Sequence, residues 1–238
     1  MRLLHIDDDL SRRFETFEGG TIPPYAILSH RWEADEVLFE EMADSSAKSK
    51  LGYAKIRGCA RKAKRHGLDY CWVDTCCIDK RSSAELTEAI NSMYQWYQNA
   101  VECYAYLSDV PEAPWQKSKW FTRGWTLQEL LAPNQVLFYD KRWNKLGTKD
   151  QLAEEIAEIT AIAKTALTYY HVTRLSISER MSWASRRETT RIEDTAYCLM
   201  GIFNVNMPLL YGEGSRAFIR LQEEILRQGT NDWSLFAW

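Results

Sequence analysis

The chain has 238 residues, of which 45% are hydrophobic and 26% charged, a composition typical of a folded globular protein and not of a disordered or fibrous one. Thirty Lys and Arg against 33 Asp and Glu leave a net charge of −3, which disfavours nucleic-acid binding through bulk positive charge. Ten residues are Trp, and because an indole combines a flat apolar face with a polar N–H, we expect some of them to line a pocket.

The N-terminal segment MRLLHIDDDL does not have the pattern of a secretory leader, because three aspartates follow a very short apolar run. No apolar run approaches the ~18 residues that span a membrane. The six cysteines lie mostly in apolar segments without a repeated spacing, which favours buried, reduced thiols, as for Cys76 and Cys77. We therefore expect a soluble cytoplasmic protein with no metal site and no membrane or nucleic-acid partner.

Short apolar runs alternate with amphipathic helical patterns over the first 149 residues. Strands are predicted at Tyr25–Ser29, Leu68–Thr75, Val101–Leu107 and Gln135–Tyr139. Helices are predicted at Lys50–His66, from Ser82 through the stripe Leu86, Ile90, Met93 and Tyr97, and at Lys119–Leu131 before Pro133. Strands that are apolar on both faces and separated by helices imply an α/β fold, with a parallel sheet of about five strands in flavodoxin-like order.

Beyond residue 149 the pattern becomes helical. Amphipathic or capped stretches occur at Asp150–Ile162, at Arg180–Ser185 after the capping-box pair Ser176 and Glu179, at Ile192–Phe203 and at Gly214–Gln228. We expect one domain over 1–238, with an α/β core at 1–149 and a helical extension at 150–238. The polar cluster at 186–194 is expected to be a solvated or salt-bridged junction, and the apolar ending DWSLFAW suggests the N-terminal part of a longer protein.

Ligands of parallel sheets bind beyond the carboxyl ends of the strands, which directs attention to Ser29–Trp32, Asp74–Lys80 and Ser108–Asp109. In WFTRGWTLQELLAP, Trp125 and Glu129 are four residues apart and share one helix face. An indole beside a carboxylate suits a sugar or a cation, although an exposed Glu beside a core Trp would give the same pattern. The sequence has no Walker phosphate loop, dinucleotide glycine motif, zinc-protease motif or nucleophile elbow.

The chain resembles the HET (heterokaryon incompatibility) domains of filamentous fungi in blocks that span nearly its whole length. They are YAILSHRW at 25–32, DYCWVDTCCIDK at 69–80, SMYQWYQNAVECYAYLSDV at 92–110, WFTRGWTLQELLAP at 120–133, RIEDTAYCLMGIFNVNMPLLYGEG at 191–214 and the final DWSLFAW. Among HET proteins it is most similar to the N-terminal module of NACHT–WD-repeat vegetative incompatibility proteins. The resemblance implies programmed cell death when genetically different fungal cells fuse, a form of innate immunity. It also implies self-association and partnership with NACHT and WD-repeat domains or with an incompatibility partner.

HET domains in turn resemble TIR domains, whose sheet is flavodoxin-like and whose enzymatic members cleave NAD into nicotinamide and ADP-ribose. Their catalytic helix carries Trp-Cys-x-x-Glu-Leu, which residues 125–130 match except for Thr126 in place of Cys. Ser29 and His30 occupy the place of the TIR Ser-aromatic motif after the first strand. The resemblance implies that Glu129 is catalytic and that NAD is a substrate rather than a cofactor.

The other candidate residues lie at predicted strand ends or beside Glu129, and each also has a purely structural explanation. The substrate-binding candidates are Ser29, His30, Arg31, Trp32, Asp74, Asp79, Lys80, Arg123 and Trp125. The stripe Tyr94, Trp96 and Tyr97 is either core or an assembly surface.

Two alternatives to an NAD-cleaving enzyme stay open from the sequence. The first is a non-enzymatic death-signalling module that works by self-association or by recruiting a partner. The second, less favoured, is a phosphoacceptor receiver-like domain that uses Asp74 or Asp109, but no clear acidic pair follows the first strand.

Overall fold

A computed structural model describes residues 1–7, 14–18, 20–168, 172–229 and 232–236. Within these ranges seven strands form one sheet in the order β2-β1-β4-β3-β5-β6-β7. Their bounds are β1 Arg2–His5, β2 Phe14–Thr16, β3 Tyr25–His30, β4 Tyr70–Trp72, β5 Glu102–Leu107, β6 Val136–Asp140 and β7 Lys145–Thr148. Parts of two segments named above, residues 8–10 and 237–238, lie outside the described residues.

The four central strands are parallel and run β4-β3-β5-β6, which is the order 2-1-3-4 when they are counted along the chain. This is the beginning of the flavodoxin-like order and confirms the α/β prediction. The sheet is mixed, however, because β1, β2 and β7 pair antiparallel at its edges. Every residue of β3 is buried, which agrees with a central strand covered on both faces.

Ten α-helices occur within the described residues. They are α1 Leu51–Arg65, α2 Asp74–Cys77, α3 Ser83–Asn99, α4 Thr126–Leu131, α5 Ala153–Thr160, α6 Lys164–Thr168, α7 Ile177–Ser182, α8 Asp194–Tyr197, α9 Met200–Phe203 and α10 Arg216–Arg227. In this part of the chain no helix has both the length and the apolar character needed to cross a membrane. All six cysteines are buried and unpaired, as expected for packed thiols.

Two predicted elements are shorter than expected. The strand predicted at Leu68–Thr75 is confined to Tyr70–Trp72, because the chain turns into α2 directly after Val73. The helix predicted at Lys119–Leu131 begins at Thr126. Its start is displaced because Gly124 lies against the segment around Glu188, whose carbonyl accepts the Gly124 N–H at 2.9 Å. A Cβ on Gly124 would lie 2.5 Å from the methyl group of Thr189, so only glycine permits this approach.

The helices after residue 150 contact the α/β part through α9, which packs against α3, and they pack on one another, as α8 does on α10. The helix expected at Arg180–Ser185 begins earlier, at Ile177, because the hydroxyl of Ser176 caps it by accepting the N–H of Glu179. The cluster at 186–194 is not simply a solvated junction, since Glu193 and Asp194 are buried.

The aromatic stripe on α3 belongs to the core. Tyr97 is buried, and its hydroxyl donates to the carbonyl of Leu28 in β3 at 3.0 Å. The ring of Trp96 packs edge-on against Trp72, with 5.6 Å between centroids. This packing places α3 along the carboxyl end of β3, where it forms part of the wall described next.

Candidate functional site

A cavity of about 530 Å³ lies at the carboxyl ends of β3 and β4. Its size is within the range of small-molecule sites. Its lining combines acidic, basic and aromatic side chains, namely His30, Trp32, Asp74, Ile78, Lys80, Leu86, Ile90, Met93, Arg123, Trp125, Glu129, Thr190, Arg191, Asp194 and Tyr211.

Glu129 is the buried carboxylate of this cavity. The first turn of α4 carries it, and only 6% of the residue is exposed, which excludes the alternative of an exposed Glu beside a core Trp. Its Oε2 atom accepts the hydroxyl hydrogen of Ser29 at 2.5 Å. Burial raises the pKa of Glu129 to about 8, because loss of hydration outweighs the opposing hydrogen bond from Ser29.

A chain of ionisable groups extends from His30, which lies buried at the end of β3. Its Nε2 is 3.6 Å from Glu36 Oε2, and its Nδ1 is 3.7 Å from Asp74 Oδ1. Glu36 also pairs with the buried Lys55. Burial raises the pKa of Glu36, but the hydrogen bonds and charges of His30 and Lys55 outweigh this effect and bring it down to about 2. His30 is thus held between two carboxylates, one of which faces the cavity.

Trp32, Asp74 and Lys80 form the outer wall. Trp32 Nε1 donates to Asp74 Oδ2 at 2.7 Å, and Lys80 Nζ sits 3.5 Å from the centroid of the Trp32 ring. Lys80 Nζ and Asp74 Oδ1 are both buried and have no hydrogen-bond partner. Burial lowers the pKa of Lys80, although the charge of Asp74 opposes the change. Both groups therefore retain hydrogen-bonding capacity for a ligand.

The opposite wall comes from the C-terminal part of the chain and was not predicted. Asp194 accepts hydrogen bonds from the indole of Trp125 and, at 3.0 Å, from the hydroxyl of Tyr211. The guanidinium of Arg191 lies 4.4 Å from the centroid of the Tyr211 ring. Arg191, Asp194 and Tyr211 all belong to the sequence block at 191–214, which was the only signal that could have pointed to them.

The predicted site residues divide into two groups. His30, Trp32, Asp74, Lys80, Arg123, Trp125 and Glu129 line the cavity, and Ser29 joins them through its bond to Glu129. Arg31 and Asp79 do not line it. Arg31 is exposed beyond the end of β3, and the Asp79 carboxylate is bound at 2.9 Å by the guanidinium of Arg81.

The receiver-like alternative loses one of its two candidate acceptors. The carboxylate of Asp109 accepts the Ser118 hydroxyl at 2.6 Å and the Lys119 N–H at 2.8 Å. Because both oxygens hold the loop after β5, Asp109 has a structural role there.

Residues 25–112 match a family model described as "Heterokaryon incompatibility protein (HET)". The chain carries a HET domain. It is 49% identical over 241 residues to "Vegetative incompatibility protein HET-E-1" of Podospora anserina, an alignment that covers 94% of this chain and 18% of that protein. No solved structure matches the chain.

The HET family match covers one half of the cavity. His30, Trp32, Asp74 and Lys80 lie inside the matched range, whereas Glu129 and the C-terminal wall lie beyond it. The similarity to the Podospora protein extends over nearly the whole chain and therefore covers both halves of the cavity.

Proposed function

We propose that this HET domain is a glycohydrolase that cleaves NAD into nicotinamide and an ADP-ribose-type product, and that this reaction causes cell death in fungal heterokaryon incompatibility. The HET family match and the name of the Podospora relative support the incompatibility role. The observation that carries the enzymatic part is a buried carboxylate, Glu129, on the wall of a cavity of about 530 Å³ that an indole also lines.

The charges of the cavity suit a ligand that carries both signs. NAD has a cationic pyridinium ring at one end and an anionic pyrophosphate in the middle. Three carboxylates face the cavity, from Asp74, Asp194 and Glu129, and three cations face it, from Lys80, Arg123 and Arg191. We assign the pyrophosphate to Lys80, whose ammonium is buried and lacks a hydrogen-bond partner.

Trp125 is the better of the two indoles for stacking on the pyridinium ring. One face of Trp32 is already covered by the Lys80 ammonium, at 3.5 Å from the ring centroid. Trp125 is held in place by its bond to Asp194 and directly precedes the helix that carries Glu129. An electron-rich indole face attracts a ring that carries positive charge.

The proposed reaction breaks the bond between C1′ of the ribose and the nicotinamide nitrogen. The bonding electrons return to the pyridinium ring, so nicotinamide leaves neutral and needs no acid, unlike the leaving oxygen of ordinary glycosides. Positive charge develops on the ribose, where an ionised Glu129 stabilises it electrostatically. Water then attacks C1′ and releases a proton, which gives ADP-ribose.

The raised pKa of Glu129 fits this scheme when binding is considered. In the free protein the carboxyl group is largely protonated near neutral pH, because burial raises its pKa to about 8. A cationic ring bound beside it favours the ionised form and lowers that pKa again. Substrate binding is therefore expected to release a proton.

The decisive experiment incubates the purified protein at high concentration with NAD and measures nicotinamide by chromatography. Glu129→Gln preserves size but removes the charge, and it should lower the rate ~100–1000-fold, as for other electrostatic groups of active sites. Glu158→Gln, an exposed substitution on α5, serves as the control and should retain full activity. Thermal melting of each variant checks that folding is intact.

The results separate the enzyme from the death-signalling module. Cell killing that persists in a folded Glu129→Gln protein, with no NAD cleavage by the parent chain, would favour self-association or partner recruitment. Cleavage of NAD that persists in the variant would mean that another carboxylate stabilises the charge on the ribose, and Asp74 is the first candidate. This chain spans 18% of the relative's length, so NACHT or WD-repeat partners and self-association stay proposals, to be tested by co-purification and by sedimentation.

A further inference from the structure

A second cavity, of about 250 Å³, adjoins the start of α4 at Gly124. It lies between α7 and the chain around α8 and α10, to which Met181, Thr195 and Phe218 belong. The two residues that flank Gly124, namely Arg123 and Trp125, line the main cavity instead. The second cavity is thus a neighbour of the candidate active site and not a part of it.

Arg187 is one of the residues that line this second cavity. Its Nη1 donates to the carbonyl of Arg123 at 2.9 Å and to the hydroxyl of Thr126 at 3.0 Å. Its Nη2 is buried and has no hydrogen-bond partner. The acceptors are all neutral, and no carboxylate of the described residues lies within ion-pair distance of Arg187. The charge of Glu129 acts on Arg187 only from beyond that distance. A buried cation without a direct ion-pair partner is costly, and an anion beside it would offset that cost.

The hydroxyl groups that share the cavity have no free hydrogen to offer. Ser185 donates to the carbonyl of Ser182 at 2.7 Å, and Thr189 and Thr195 each donate to a main-chain carbonyl at 2.6 Å. Nη2 of Arg187 is therefore the free side-chain donor of this lining among the described residues. It can satisfy one carboxylate group, whereas a phosphate, with three or more acceptor oxygens, would be left poorly bonded.

Most of the remaining surface of the cavity is apolar. Met181, Ala184, Leu199 and Phe218 contribute aliphatic or aromatic groups. A ligand that fills this space while reaching Arg187 therefore needs a compact apolar body attached to its charged group.

We propose that this cavity binds a small apolar monocarboxylate, with the carboxylate on Nη2 of Arg187 and the apolar body against the side chains of α7 and α10. Because Nη1 of the same guanidinium holds the first residue of α4, occupation of the site fixes the start of the helix that carries Glu129. The site is defined by the second cavity alone and does not depend on the proposed NAD cleavage.

The test measures binding of benzoate to the whole chain by isothermal titration calorimetry at fixed ionic strength. Benzamide, acetate and inorganic phosphate are the comparison probes, since they remove the charge, the apolar body and the carboxylate geometry in turn. Two variants alter the site in independent ways. Arg187→Met removes the guanidinium, and Ala184→Leu fills the cavity but keeps every bond of Arg187. Arg186→Met, which removes the exposed neighbouring arginine, is the matched control.

We expect saturable binding of benzoate. The affinity for each of the three comparison probes should be at least tenfold lower than that for benzoate. Ala184→Leu and Arg187→Met should lower the benzoate affinity by at least tenfold, and Arg186→Met should leave it unchanged. If Arg187→Met fails to fold, Ala184→Leu decides the question alone. The proposal is overturned by the absence of saturable binding, by equal binding of benzamide or phosphate, or by benzoate affinity that survives in a folded Ala184→Leu protein.

Discussion

Ser29 and Glu129, 100 residues apart in the chain, are joined by a hydrogen bond of 2.5 Å in the interior of the domain. Trp120 Nε1 donates to the same Ser29 oxygen at 2.9 Å. Because an indole N–H is only a donor, Ser29 accepts from Trp120 and turns its own hydrogen to the carboxylate. Ser29 therefore favours the ionised form of Glu129, against the effect of burial.

Removal of this hydrogen bond should shift the pH dependence of NAD cleavage. If ionised Glu129 is the active form, kcat/KM of the parent chain rises with pH and levels off near the pKa of about 8. In Ser29→Ala that pKa is higher still, so the profile should move to more alkaline pH. Rates measured from about pH 6 to about pH 9.5 test this, with Ser83→Ala at the start of α3 as the control. A profile that is the same in Ser29→Ala and the parent would contradict the assignment.

The same pKa predicts a pH-dependent difference in stability between the parent chain and Glu129→Gln. The folded protein holds a proton on Glu129 up to about pH 8, whereas the unfolded chain loses it near the ordinary glutamate pKa of 4.5. Relative to Glu129→Gln, which does not titrate, the parent should therefore lose stability as pH rises from 4.5 to 8. The slope is at most ~1.4 kcal/mol per pH unit. Urea unfolding of both proteins measures this difference, and a constant difference across the range would show that Glu129 titrates normally.

Lys80 should contribute to substrate binding more than to stability. Its ammonium is buried, contacts the Trp32 ring and lacks a hydrogen-bond acceptor. Under the proposed function it donates to the pyrophosphate, a contact worth ~1.5–3 kcal/mol. Lys80→Met should therefore raise the KM for NAD by ~10–100-fold while the melting temperature is unchanged or higher. Lys80→Arg, which keeps the charge, should recover part of the loss. A marked fall in melting temperature without a change in KM would make Lys80 structural.

Lys149 should stabilise the fold from the C-terminal end of α4. Its buried ammonium donates to the carbonyl of Pro133 at 2.6 Å and to that of Leu130, near the end of α4, at 3.3 Å. Lys149→Met leaves these carbonyls without a partner and should lower the free energy of unfolding by ~1–3 kcal/mol. Lys145→Met on the neighbouring strand β7 removes an exposed lysine and should have little effect. Equal losses in the two variants would contradict this role.

The part of the site that was predicted from the sequence is the part that local patterns encode. The run at Tyr25–Ser29 is apolar at both faces, as a covered parallel strand requires, and it places Ser29 and His30 at the strand end. The spacing of Trp125 and Glu129 holds because both have helical backbone angles, although α4 itself begins only at Thr126.

The elements that were not predicted from the sequence depend on contacts between residues that lie far apart in the chain. β1 and β2 are short strands at one side of the sheet whose polar residues gave no alternating pattern, and they form only by pairing with each other and with β4. The late start of the predicted helix, at Thr126 instead of Lys119, follows from the approach of Glu188 to Gly124. Asp79 does not line the cavity, and its carboxylate is bound by the nearby Arg81, a local pairing that the sequence patterns did not indicate.

The wall formed by Arg191, Asp194 and Tyr211 has a consequence for the order of synthesis. A ribosome completes the central sheet and Glu129 well before it reaches residue 191, so a nascent or prematurely stopped chain holds the carboxylate without the residues that enclose it. Under the proposed function, a chain that stops before residue 191 lacks one wall of the cavity and should be inactive. Toxicity would then begin only after the last third of the chain has been made.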